Sequence, residues 1–81
     1  MEKLYVKSFT DSSVIKLAMW NPSTEDLIII FNTGSIWAYG GVSHIIWWFF
    51  TSSVSAGNYF NKNIRGKFDQ SCLYKPGVTL V

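Results

Sequence analysis

The stretch Leu27-Ile28-Ile29-Ile30-Phe31-Asn32-Thr33-Gly34-Ser35-Ile36-Trp37-Ala38-Tyr39 decides the fold. Its first five residues are a largely β-branched run, apolar at every position, which predicts a strand buried on both sides. Asn32-Thr33-Gly34 is turn chemistry, and Gly34 can take the positive φ that a tight hairpin needs. Residues 35–39 read as the returning strand, with Trp37 and Tyr39 on one face.

Working outward toward the N-terminus, residues 21–26 (Asn-Pro-Ser-Thr-Glu-Asp) form a polar breaker. Residues 14–20 alternate as a further strand, entered through Asp11-Ser12-Ser13. Three strands joined by tight connections predict an antiparallel meander. Toward the C-terminus the period changes after Gly40-Gly41. Ser43 is placed to cap a helix running to about residue 53, since a serine hydroxyl accepts from the free amides of a first turn. Ser55 is placed to cap a second helix through about residue 65, closed by Gly66. Ala56, Phe60 and Ile64 recur every four residues as its buried stripe, while Asn58, Asn61, Lys62 and Arg65 share a polar, basic face. Residues 69–81 form a tail, in which Val78-Thr79-Leu80-Val81 is a candidate edge strand. The expected class is α+β: a three-stranded antiparallel meander, then two short helices, in one domain spanning residues 1–81.

Composition bounds the function. The 81 residues are 48% hydrophobic, 17% aromatic and 15% charged, against roughly 25% charged in an average soluble domain. A domain this small buries only about 60% of its unfolded surface, so part of that apolar surface is expected to meet another chain. One cysteine, Cys72, and one histidine, His44, exclude an intrachain disulfide and a zinc site of Cys and His ligands from one chain. The first residues show no secretory signal, so the chain reads as complete and cytoplasmic. Its longest apolar run, residues 45–50, is too short to span a bilayer. A net charge of +2 is too small to establish nucleic-acid binding by itself, although Lys62, Arg65 and Lys67 cluster.

The spacing of several of these residues resembles the KTSC domain family. The resemblance rests on Ser12-Ser13, on Leu27-x-Ile29-x-Phe31, on Gly34, on Trp37-Ala38-Tyr39, on Val42-Ser43 and on Ser55-Ala56-Gly57-Asn58-Tyr59-Phe60-Asn61-Lys62-Asn63-Ile64-Arg65. It covers residues 12–68 without a gap. The family includes free-standing proteins of bacteria and phages and a C-terminal module of some lysyl-tRNA synthetases, and the resemblance implies an α+β fold and RNA binding. Trp37 stands where the family has a first tyrosine, and Ser43 where it has a proline. Ile45, Trp48 and Phe49 replace charged residues on the outer face of the first helix.

Catalysis has little to stand on. Adjacent Ser43 and His44 diverge at a helix start, and no carboxylate is spaced to orient the histidine. No enzyme activity and no cofactor are expected. Trp37 and Tyr39 either pack beneath a helix or form a stacking platform for bases. Asn61, Lys62 and Arg65 either form a solvated face or contact phosphate, Arg65 through its bidentate fork. Ser55 and Gly57 sit at a helix start that suits an anion, or they serve capping alone. Along the first helix Ile46, Trp47 and Phe50 supply the core stripe, which leaves Ile45, Trp48 and Phe49 as a second apolar stripe and the candidate interface of a homo-oligomer. The leading expectation is a non-catalytic binding module for nucleic acid or a nucleotide. The alternative is a phage-type interaction protein, such as a counter-defence inhibitor, that grips a host protein through the apolar stripe.

Overall fold

A computed structural model of the chain describes residues 3–77. Five strands and two helices follow in the order β1 (Tyr5–Ser8), β2 (Ile15–Asn21), β3 (Asp26–Phe31), β4 (Ile36–Gly40), α1 (His44–Ser52), α2 (Ala56–Asn63) and β5 (Asp69–Tyr74). The strands form one antiparallel sheet whose spatial order is their chain order, so the helical pair is an insertion between neighbours β4 and β5.

The hairpin between β3 and β4 forms as its sequence predicts. Gly34 adopts φ +94°, its amide donates to the Phe31 carbonyl at 2.8 Å, and the Phe31 amide donates to the Ser35 carbonyl at 2.9 Å. The entry to β2 is also local chemistry. There the Ser12 hydroxyl accepts from the amides of Val14 and Ile15 at 3.2 and 3.0 Å.

Both helices lie on one face of the sheet. That face carries Ile15, Ala18, Trp20, Leu27, Ile29 and Tyr39, which close with Trp47, Phe50, Phe60 and Ile64 of the helical segment into the core. Phe60 anchors the α2 side, meeting the rings of Phe31 and Tyr39 edge-on at 5.3 and 5.4 Å, an arrangement that aromatic quadrupoles favour. At the α1 end, Trp20 stacks on His44 at 5.0 Å and on Trp47 at 6.2 Å. Val42, which leads into α1, is held at both polar ends. Its amide donates to the Glu25 carbonyl at 2.9 Å, and its carbonyl accepts from the Trp20 indole nitrogen at 2.8 Å. Glu25 sits in the turn with a φ of 60°. A residue with a Cβ adopts that left-handed conformation at a cost of roughly 1–2 kcal/mol.

The register fixes what the opposite face carries. One row across it runs Ser8, Leu17, Ile30, Ile36, Tyr74; the next runs Val6, Met19, Ile28, Ala38, Ser71. Neither of these rows holds a charged residue, whereas the row beyond them, Asn21, Asp26, Gly40 and Asp69, carries two aspartates side by side.

Several sequence expectations are thereby corrected. The sheet has five strands where three and an edge were expected, because β1 pairs along β2 and residues 69–74 pair along β4. β3 is not buried on both sides: Leu27 and Ile29 are fully buried, whereas Ile28 and Ile30 are partly exposed, because both helices dock on the same side. Ser43 occupies the N-cap position of α1, but its hydroxyl makes no capping bond. α2 ends at Asn63 and not near Arg65: the amides of Ile64 and Arg65 both donate to the Phe60 carbonyl, and the chain then turns through Gly66 at φ +73°. The candidate strand at residues 78–81 lies outside the described residues.

Candidate functional site

Two clefts flank the line where α2 meets the start of β2. The first, of about 510 Å³, lies between the β3–β4 hairpin and the C-terminal half of α2. Trp37 and Phe31 line it, Tyr39 and Phe60 form its floor, and Asn61, Arg65 and Gln70 stand at its rim. Its volume falls in the range of roughly 300–1,000 Å³ typical of small-molecule sites. Its lining contains no aspartate or glutamate, so Arg65 is the cleft's only formal charge.

The geometry follows from the local folding. Trp37 and Tyr39 project from alternate positions of β4 onto the helix-bearing face. Asn61 and Arg65, four apart, are carried to the same side, Asn61 on the last turn of α2 and Arg65 just beyond it. Burial raises the Tyr39 phenol above its ordinary pKa, the nearby Arg65 guanidinium draws it part of the way back, and Cys72 adds a smaller push upward. Arg65 is therefore close enough to the cleft floor to act on it electrostatically. No ion pair among the described residues engages it. Tyr39 is only 3% exposed, so it forms the floor and offers no free ring face, while Trp37 is partly exposed and lines the cleft.

The second cleft, of about 580 Å³, lies at the other end of α2. Lys7, Asp11, Ser12, Ser53, Ser55 and Asn58 are among its lining residues, with Ser13, Val14 and Asn61 common to both clefts. Here the candidates have structural duties. The Ser55 hydroxyl accepts from the Asn58 amide at 3.3 Å and so caps α2. Gly57 is buried where a Cβ would stand 3.3 Å from the Val14 Cβ, so its bareness lets the helix close on β2. Ser55 and Arg65 thus belong to different clefts.

The candidates therefore divide. Trp37, Tyr39, Asn61 and Arg65 converge on one cleft, Ser55 and Gly57 line the other, and Lys62 is exposed and lines neither. Sequence reasoning missed Gln70 and Phe31 as cleft residues. Gln70 lies on β5, whose place beside β4 has no local signal, and Phe31 reads simply as the end of an apolar strand. The α1 candidates lie together on the outer surface: Ile45 is 60%, Trp48 58% and Phe49 47% exposed, and the rings of Trp48 and Phe49 meet edge-on at 5.6 Å. No helix among the described residues is long and apolar enough to cross a membrane.

Comparison with known proteins gives a consistent result. The family model described as KTSC domain matches residues 11–68. The crystal structure of a KTSC domain protein from Yersinia pestis is similar to this chain at 28% sequence identity with a TM-score of 0.81, covering 89% of this chain and 100% of the other. No match was found among curated proteins.

Proposed function

The chain belongs to the KTSC domain family, and from that premise we propose that it is a non-catalytic binding module whose ligand is a nucleotide or a short single strand of nucleic acid. The observation that carries this reading is the convergence of Trp37, Asn61 and Arg65 on one cleft without a carboxylate. A planar group can stack on Trp37, which elsewhere contributes about 1–3 kcal/mol per base. A phosphate can take the Arg65 fork, a charge-assisted bond of about 1.5–3 kcal/mol net. Asn61 and Gln70 supply neutral donors and acceptors for base edges or sugar. The cleft suits one or two nucleotides and not a duplex, which fits the modest net charge of +2.

Titration calorimetry with mononucleotides and short oligonucleotides tests this reading. Arg65→Ala and Trp37→Ala should each weaken binding about tenfold or more, and oligonucleotide affinity for this cleft should fall about threefold between 50 and 200 mM salt, the slope of a single phosphate contact. An Arg65→Ala protein that binds like the unmodified chain would remove the cleft from consideration. If no nucleotide or strand binds at all, the ligand reading fails.

A second reading has its own observation. Ile45, Trp48 and Phe49 form an exposed apolar patch of the kind that anchors protein interfaces. It supports a homo-oligomer contact through α1 or, in a phage-type counter-defence protein, a grip on a host protein. Trp48→Glu should abolish such an association with little response to salt, whereas the cleft variants should leave it intact.

A further inference from the structure

We infer that the strand of nucleic acid assigned to the Trp37 cleft continues past the start of β2 and along β1, so that the ligand is a single strand of about four to eight nucleotides and not a free nucleotide. This rests on the cleft reading above and extends it to a part of the surface with its own cations and rings. Three clefts abut there. The Trp37 cleft and the one beside Ser55 have Ser13, Val14 and Asn61 as a common wall, and the second shares Lys7 and Thr51 with a third, of about 360 Å³, between β1 and α1. The first and third have no lining residue in common, which sets their order.

Each cleft holds a cation and a partly exposed ring: Arg65 with Trp37, Lys7 with Phe9, Lys3 with Tyr5. The last four come from one alternating run, Lys3-x-Tyr5-x-Lys7-x-Phe9, and a period of two sets them on one side of the chain. Pairing of Tyr5 with Trp20 and of Lys7 with Ala18 makes that side the helix-bearing one. No ion pair among the described residues engages Lys3, Lys7 or Arg65, and Asp11 is the only carboxylate lining any of the three clefts. A groove of cations interleaved with aromatic rings takes a nucleic-acid backbone and its bases together, whereas an acidic peptide would use the cations and leave the rings idle. Four strands about 4.8 Å apart separate Trp37 from Lys7 by roughly 14 Å, and four residues of extended chain add roughly 13 Å to Lys3. Cations so far apart cannot share one phosphate. A strand stacked at about 3.4 Å per nucleotide places about eight along this path, and one splayed open to about twice that spacing places about four.

Titration of the full chain with oligouridylates and oligothymidylates of two to about ten residues tests this. Affinity should climb about tenfold or more from the dimer and level off between about four and eight residues. The dimer, held by the Trp37 cleft alone, should lose about threefold in affinity between 50 and 200 mM salt, and the octamer, with three phosphate contacts, about eighteenfold. Lys3→Gln combined with Lys7→Gln, both on exposed side chains, should return the octamer to the affinity and the salt response of the dimer while the dimer binds as before. The inference is overturned if affinity levels off at the dimer, if the double variant binds the octamer as the unmodified chain does, or if an abasic oligomer of the same length binds as tightly as the octamer, which would make the track a general polyanion surface. A dimer that binds without gain on lengthening leaves the cleft reading standing alone, and failure of both dimer and octamer to bind removes both.

Discussion

Replacing Trp20 by phenylalanine isolates one buried bond that holds the helices to the sheet. Trp20 is 2% exposed, and its indole nitrogen donates to the Val42 carbonyl at 2.8 Å. Phenylalanine keeps an aromatic ring on the β2 face but removes the donor, stranding the carbonyl in apolar surroundings at a cost of about 1–3 kcal/mol. The smaller ring also weakens the stack with His44 and Trp47 and leaves a void, on the order of 1 kcal/mol more. The total is about 2–4 kcal/mol, a large part of the roughly 5–15 kcal/mol by which a typical folded protein is stable. Trp48→Phe is the control. Trp48 is 58% exposed, and its loss should change stability by no more than about 0.5 kcal/mol. Urea unfolding followed by far-ultraviolet circular dichroism avoids the altered tryptophan fluorescence and returns both midpoints. If Trp20→Phe and Trp48→Phe unfold within about 0.5 kcal/mol of each other, the account of Val42 as the fixed point of the β4–α1 connection is refuted.

Two further outcomes are expected. Gly57→Val should lower stability by about 1–3 kcal/mol through overpacking, because the new side chain meets Val14 where a Cβ alone already stands at 3.3 Å. Thermal unfolding measures it, and an unchanged midpoint would count against close α2–β2 packing. The Tyr39 phenol is raised by burial, only partly offset by Arg65, so the folded chain holds this proton more tightly than the unfolded one. Its contribution is therefore full below about pH 10 and is lost as pH climbs through the folded value. Tyr39→Phe should flatten that alkaline decline in pH-dependent melts, and an equally steep decline in the variant would contradict it.

How much of this was legible in the sequence depended on whether a segment's signal was local. The β3–β4 hairpin, β2 and both helices declare themselves through alternation, Gly34, Ser55 and the four-residue spacing of Ala56, Phe60 and Ile64. Their bounds fall within one or two residues of the pattern, the end of α2 at Asn63 being the largest departure. β5 reads Asp-Gln-Ser-Cys-Leu-Tyr, is exposed throughout and owes its conformation to pairing with β4, which no local property encodes. β1 is four residues long and rests on Tyr5 reaching the rings of Trp20 and His44, again a distant contact. The cleft divides the same way. Trp37, Asn61 and Arg65 stand out by residue type and spacing, but that Ser55 faces another cleft and that Gln70 joins theirs depends on how α2 and β5 lie on β4. The apolar run 27–31 shows that both faces of β3 would be greasy, not which of them the helices would choose.

The agreement of strand order with chain order bears on how the chain acquires its structure. β1 to β4 pair through short connections, and such nearest-neighbour contacts cost little loop entropy and form quickly. β5 must wait for the whole segment between Gly40 and Asp69, both helices included, to come back to β4. It brings almost no buried side chain to reward that return. The four-stranded meander and its helices are therefore expected to consolidate first, with β5 closing onto them late. Its amides are expected to exchange with solvent through a low-energy opening that leaves the rest of the sheet intact.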